Sequence, residues 1–112
     1  MKLPDEVLVA QEKLTNYLLT KRKWNDKSQR LGKAGFIVEN WRVLRDNLIK
    51  QAQTAEANPL EKTGYGQNYE IRGKLTGPNG RELRVRTIWM TEHATGKTKF
   101  ITMYPDKSEV RK

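Results

Sequence analysis

Residues 68–90 read NYEIRGKLTGPNGRELRVRTIWM, two alternating runs around a turn. In the first, Tyr69, Ile71, Gly73 and Leu75 alternate with Glu70, Arg72 and Lys74. In the second, Leu83, Val85, Thr87 and Trp89 alternate with Arg84 and Arg86. A period of two is that of a half-buried strand. Between the runs, Pro78 suits the first central position of a type I turn, Asn79 the second and Gly80 the left-handed position after it. That is a three-residue hairpin loop with a bulge. It sets Gly77 opposite Arg81 and pairs Leu75 with Leu83, Gly73 with Val85, Ile71 with Thr87 and Tyr69 with Trp89. A two-residue loop would set Leu75 against Glu82 and turn one apolar set to solvent, which burial forbids.

The same register sets Lys74 opposite Arg84 and Arg72 opposite Arg86. Like charges directly across a strand pair are destabilising. Two such pairs side by side make a basic stripe on the face away from the core, and a bound anion would relieve the repulsion. The alternative is a plain solvated face on which long cations splay apart. An unneutralised stripe predicts that Arg72→Glu leaves the free protein as stable as before, or more so.

Working outward, KFITMYP (99–105) is a third strand after the turn HATGK. Its register stays open: one choice buries Phe100, Thr102 and Tyr104, the other Ile101 and Met103. Toward the N-terminus, Leu14, Tyr17, Leu18 and Leu19 predict a helix over about 11–20, with 5–10 open between helix and extended lead-in. Lys21, Arg22 and Lys23 suit its negative end. Asp26 is a fair N-cap for a short helix reaching Leu31 or Ala34, stopped by Gly35. Asn40 is read as the cap of the clearest helix, with Trp41, Leu44, Leu48 and Ile49 as its buried stripe. The expected architecture is α+β: N-terminal helices packed on one face of an antiparallel β-meander of three or more strands. The chain reads as a single domain, 1–112, with a helical part over about 5–52, a linker over about 53–64 and the meander over about 65–105.

Lys and Arg number 22 and Asp and Glu 13 among the 112 residues, a formal charge of +9. Both halves share the excess, so it belongs to folded surface and not to a basic tail. RNA, another polyanion or an acidic protein is the partner such a surface invites. The absence of cysteine excludes a disulfide framework, a thiolate metal site and a cysteine nucleophile, and fits a cytoplasmic setting. No apolar run is long enough to span a membrane.

The series KLTNYLL, KAGF, the hairpin with its Gly-Pro-Asn-Gly turn, Val85-Arg86-Thr87 with Trp89, and Thr102 with Tyr104-Pro105 carry a resemblance. Over about residues 12–105 the chain resembles a family of small uncharacterised bacterial domains that occur alone or beside toxin–antitoxin-type genes. The order of helices and then meander also looks like the barnase, colicin and RelE group of ribonuclease toxins. That likeness implies an open sheet face that holds RNA, and a small acidic antitoxin or immunity protein as partner. The group shares no motif through which a catalytic residue could be carried over.

Cleaving RNA without a metal needs a base for the 2′-hydroxyl proton, an acid for the leaving oxygen and cations for the developing charge. Arg72, Lys74, Arg84 and Arg86 are the candidate cations and phosphate contacts. His93, the one histidine, lies by the second turn, where an exposed surface role is the plain alternative. Glu70 shares a strand face with Arg72 and is either a base or a counter-charge to the stripe. Tyr104 and Tyr65 are candidates to stack a base or donate a proton. One histidine with scattered carboxylates offers no metal-ligand spacing, and no cofactor motif is present. The leading expectation is a small RNA-directed protein, a metal-independent endoribonuclease toxin. The competing one is a binding module that docks nucleic acid or an acidic protein without catalysis.

Overall fold

The computed structural model describes residues 2–4, 6–20 and 28–106. In chain order these form β1 (Val7–Leu8), α1 (Gln11–Lys13) running into a π-helical turn (Leu14–Leu18), α2 (Ser28–Lys33), a 3-10 turn (Val38–Asn40), α3 (Trp41–Thr54), β2 (Asn58–Lys62), β3 (Gly66–Thr76), β4 (Glu82–Glu92) and β5 (Thr98–Pro105). The strands build one sheet in the order β1-β5-β4-β3-β2. β1 runs parallel to β5, and the other pairs are antiparallel. The fold is α+β, and apart from the short β1 the helices precede the strands. Among the described residues no helix is long and apolar enough to cross a membrane.

The hairpin takes the register its turn dictates. Leu75 faces Leu83, Gly73 faces Val85, Ile71 faces Thr87 and Tyr69 faces Trp89. The Gly77 N–H donates to the Arg81 carbonyl at 2.8 Å, and the Gly80 N–H to the Gly77 carbonyl at 3.0 Å. Gly80 has φ +88°, the left-handed value the third loop position requires.

β5 takes neither uniform alternation. Trp89 pairs with Phe100, but Ile88 pairs with Thr102, so Ile101 is an extra residue in a bulge. The bulge buries Phe100 from one pattern and Met103 from the other. Phe100 meets the Trp89 ring edge-on at 5.4 Å, a favoured aromatic geometry. Beyond the bulge Thr102 and Tyr104 lie opposite Ile88 and Arg86, on the face away from the core.

Two further strands extend the sheet: the lead-in left open between helix and extended proves extended, and the expected linker holds a strand. The lead-in at Val7–Leu8 pairs along β5, which makes the sheet mixed. The segment read as a linker contains β2, whose five residues are all exposed. An exposed edge strand has no apolar alternation to betray it, and Pro59 sits where a strand proline is tolerated, on an edge.

The helix expected over 11–20 begins at Gln11 but widens into the π-helical turn. The Leu19 N–H reaches the Leu14 carbonyl at 2.8 Å, five residues back, which aligns Leu19 with Leu14 and Leu18 in the core. The expected closing cations Lys21, Arg22 and Lys23, and the Asp26 cap, lie outside the described residues.

α3 buries Leu44, Leu48, Gln51 and Ala52 against the sheet. Two expectations at its start need correction. The Asn40 side chain does not cap the helix: it accepts from the Ile37 N–H and donates to the Gly35 carbonyl, both at 2.9 Å. The 3-10 turn before the helix takes over the lead-in. Trp41 is half-buried at the rim and not central, with the guanidinium carbons of Arg42 and Arg45 at 4.7 and 5.3 Å from its ring. Deeper in, Gln51 is a buried polar residue with its needs met. Its Oε1 accepts from Thr87 Oγ1 at 3.1 Å, and Thr87 Oγ1 accepts from Trp89 Nε1 at 2.9 Å. Gly73 makes room for it, since a Cβ there would lie 2.8 Å from Gln51 Nε2.

Candidate nucleic-acid interface

The alternation that buries Leu83, Val85, Thr87 and Trp89 projects Arg84 and Arg86 from the other face of β4. On β3 it projects Arg72 and Lys74 beside them, with Arg72 paired to Arg86 and Lys74 to Arg84 across the ladder. The four cations therefore share one sheet face, as their register requires. Tyr104 of β5 extends the row, with the Arg86 guanidinium carbon 5.4 Å from its ring centre, in cation–π range.

The stripe is not bare, which corrects the expectation of unrelieved repulsion. Glu70 lies opposite Ile88, one diagonal step from Arg86 and two residues from Arg72. One carboxylate oxygen accepts from Arg72 Nε at 3.2 Å and the other from Arg86 Nη1 at 2.7 Å. The 2.7 Å bond to Arg86 is of the short, charge-assisted kind. Farther along, Lys74 Nζ pairs with Glu82 at 3.3 Å. Direct cross-strand partners are cations, but diagonal and same-strand partners are carboxylates, and side chains of this length reach them. Arg72→Glu therefore removes a partner of Glu70 and places a second carboxylate beside it.

Glu70 is the clearest chemical group on this face. Its side chain is 10% exposed, against 35% for Arg86 and 50% for Arg72, so the two guanidinium groups roof it. An ionised carboxylate has about four lone-pair sites. Two are used here, leaving acceptor capacity toward a ligand hydroxyl. A guanidinium carries five donors, more than either arginine uses toward Glu70.

His93 does not join this group. It is exposed in the turn after β4, seven residues beyond Arg86, roughly 20 Å along an extended strand. Its backbone N–H donates to the carbonyl of Tyr65, which is also exposed, so both mark the far end of the sheet. Nearby, Glu92 is held below the usual carboxylate range, first by Lys99, at 2.7 Å, and then by the Thr95 hydroxyl.

One flank of the interface was not visible in the sequence. α1 and the π-helical turn border β5 across a shallow groove of about 470 Å³, whose lining includes Lys13, Asn16, Tyr17, Thr102 and Tyr104. Lys13 and Tyr17 are four apart on a helix, a spacing that signals a shared face but not which strand it meets. Among the described residues no group of His, Cys, Asp and Glu side chains comes together that could hold a metal ion.

Comparison with known proteins adds the fold's relatives. A chain of the contact-dependent growth inhibition toxin–immunity protein complex from Klebsiella pneumoniae 342 is similar in structure, with a TM-score of 0.67 and 19% sequence identity. The match covers 88% of this chain and 99% of that one, and at this identity the likeness is one of fold. Among curated proteins, none matches the sequence. The family model described as a domain of unknown function, DUF6883, matches residues 2–107, and with nearly its whole length matched the chain belongs to that family.

Proposed function

We propose that this chain is the toxin-type member of a toxin–immunity pair, and that it binds RNA on the open sheet face and cleaves it without a metal. The observation that carries this reading is the roofed carboxylate: Glu70 held between Arg72 and Arg86, beside Tyr104. The similar solved chain supports a place in such a pair, because its complex joins a growth-inhibition toxin to an immunity protein. A small acidic immunity protein is the partner that a chain of charge +9 would attract.

The chemistry follows from the geometry. A scissile phosphate enters between Arg72 and Arg86 and takes over part of their donor capacity. Glu70 accepts the proton of the 2′-hydroxyl as its oxygen attacks phosphorus. The bond from phosphorus to the 2′-oxygen forms and the bond to the 5′-oxygen breaks. The two arginines stabilise the extra charge on the phosphorane. The leaving 5′-oxygen takes a proton from the Tyr104 hydroxyl or from water. The products are a 2′,3′-cyclic phosphate and a 5′-hydroxyl end.

The test is incubation of the purified protein with total RNA, with and without a chelator. Discrete products ending in cyclic phosphate are expected in both conditions. Glu70→Gln should lower the rate by about 100-fold or more, as loss of a general base does, while RNA binding persists. Undiminished cleavage by Glu70→Gln would remove Glu70 from the chemistry.

The second reading is a binding module without catalysis. Both Glu70 oxygens are engaged in the free protein and the one histidine lies far away, which favours this reading. A salt-dependent RNA complex with no cleavage by the wild type would select it.

A further inference from the structure

The tip of the β3–β4 hairpin is locked to α2. Asn79 Nδ2 donates to the Lys33 carbonyl at 2.9 Å, and the Asn79 N–H to the Ala34 carbonyl at 3.4 Å. Gly77 packs so closely that a Cβ there would fall 1.8 Å from the Ala34 carbonyl oxygen. The joint leaves a groove of about 450 Å³ lined by Gln29, Arg30, Lys33, Arg81, Glu82 and Leu83. Arg30, Lys33 and Arg81 are exposed. The single acid in the lining, Glu82, is engaged by Lys74. Arg30 and Lys33 on α2 and Arg81 at the end of the hairpin loop, brought together by the Asn79 hydrogen bonds, make a wall that suits an anion.

The groove begins where the stripe ends. Glu82, in its wall, holds Lys74 of the stripe, and the Arg30 guanidinium reaches the Arg84 carbonyl at 3.5 Å. Arg81 lies five residues from Arg86, roughly 17 Å along an extended strand. That separation is too long for one phosphate to bridge and suits a backbone of a few nucleotides. The groove is partly open to solvent and does not enclose a small anion.

We infer that this groove is a second phosphate-binding subsite, which holds the RNA strand beyond the bond that Glu70 faces. The inference rests on the RNA reading above and names its substrate class: a strand of several nucleotides, not a mono- or dinucleotide. The subsite adds affinity and leaves the chemistry to Glu70, Arg72 and Arg86.

The test compares two labelled RNAs, a trinucleotide and a strand of about 20 nucleotides, longer than a single small binding fold covers. Lys33→Glu combined with Arg81→Glu should weaken binding of the long strand by roughly ten-fold and lower its salt slope by about two phosphate contacts. Binding of the trinucleotide and the melting temperature should stay as in the wild type, because only exposed side-chain ends change. Long-strand affinity equal to the wild type's, together with its loss in Arg86→Glu, would overturn the subsite and leave the RNA reading standing. Failure of the wild type to bind either RNA would overturn the RNA reading and the subsite with it.

Discussion

Glu70 is 8% exposed although its strand face looks away from the core. The guanidinium groups of Arg72 and Arg86 lie against it. Its position opposite Ile88 hides this from any reading confined to direct cross-strand partners, yet the diagonal to Arg86 was present in the same register. The cations were legible because a turn fixes their face, and Glu70 was legible as one of two things, a base or their counter-charge. That it holds Arg72 and Arg86 together was not, because that depends on side-chain reach. The consequence is measurable. Arg72→Glu should lower stability by about 1 kcal/mol, a small value because Arg72 is half exposed, or roughly 3–6 °C in melting temperature. No change, or a gain, would show that the Glu70–Arg72 pair contributes nothing in solution. Trp41 is a second residue whose value changes with its place. A central tryptophan cut to alanine costs about 3–5 kcal/mol. At the rim between Arg42 and Arg45, Trp41→Ala should cost about half that, read by denaturant unfolding.

Strand β5 shows where pattern reading stops. Phe100 and Met103 are both buried, and their odd spacing cannot come from a regular strand, so each uniform alternation was half right. Nothing in the local sequence marks Ile101 as the extra residue; the choice is made by the Trp89 ring and the core it helps close. Phe100→Ala and Met103→Ala should each cost about 2–5 kcal/mol, and Ile101→Ala about 1 kcal/mol or less. Equal losses at 101 and 103 would contradict the bulge. The β4–β5 turn adds a pH signature through Glu92, whose carboxylate is held below its usual range chiefly by Lys99. A depressed carboxylate stabilises the fold fully above its unfolded value and loses that contribution as pH falls through the folded one. The melting temperature of the wild type should therefore fall more on acidification than that of Glu92→Gln, with the gap closing at acid pH. Parallel curves would show that the Lys99 and Thr95 contacts do not persist.

At the scale of the molecule, the α+β class, the hairpin and the cation-bearing face follow from alternation and one Gly-Pro-Asn-Gly turn. The extent of the sheet does not follow, because β1 is two residues long and β2 is exposed throughout. Those two strands form the outer edges, where an unpaired ladder invites association with another chain. Pro59 on β2 presents no N–H, which blunts one edge. Pro59→Thr should restore a donor there and raise concentration-dependent self-association, measured by sedimentation; a monomer at all concentrations would show that the edge is guarded by other means. The parallel β1–β5 pair has a different consequence, for the order of events in time. Val7 leaves the ribosome well ahead of its partner Thr98, which lies about 90 residues farther along the chain. Of this sheet's strands, the earliest in the chain thus waits for the latest, and a nascent chain that lacks β5 holds that segment unpaired.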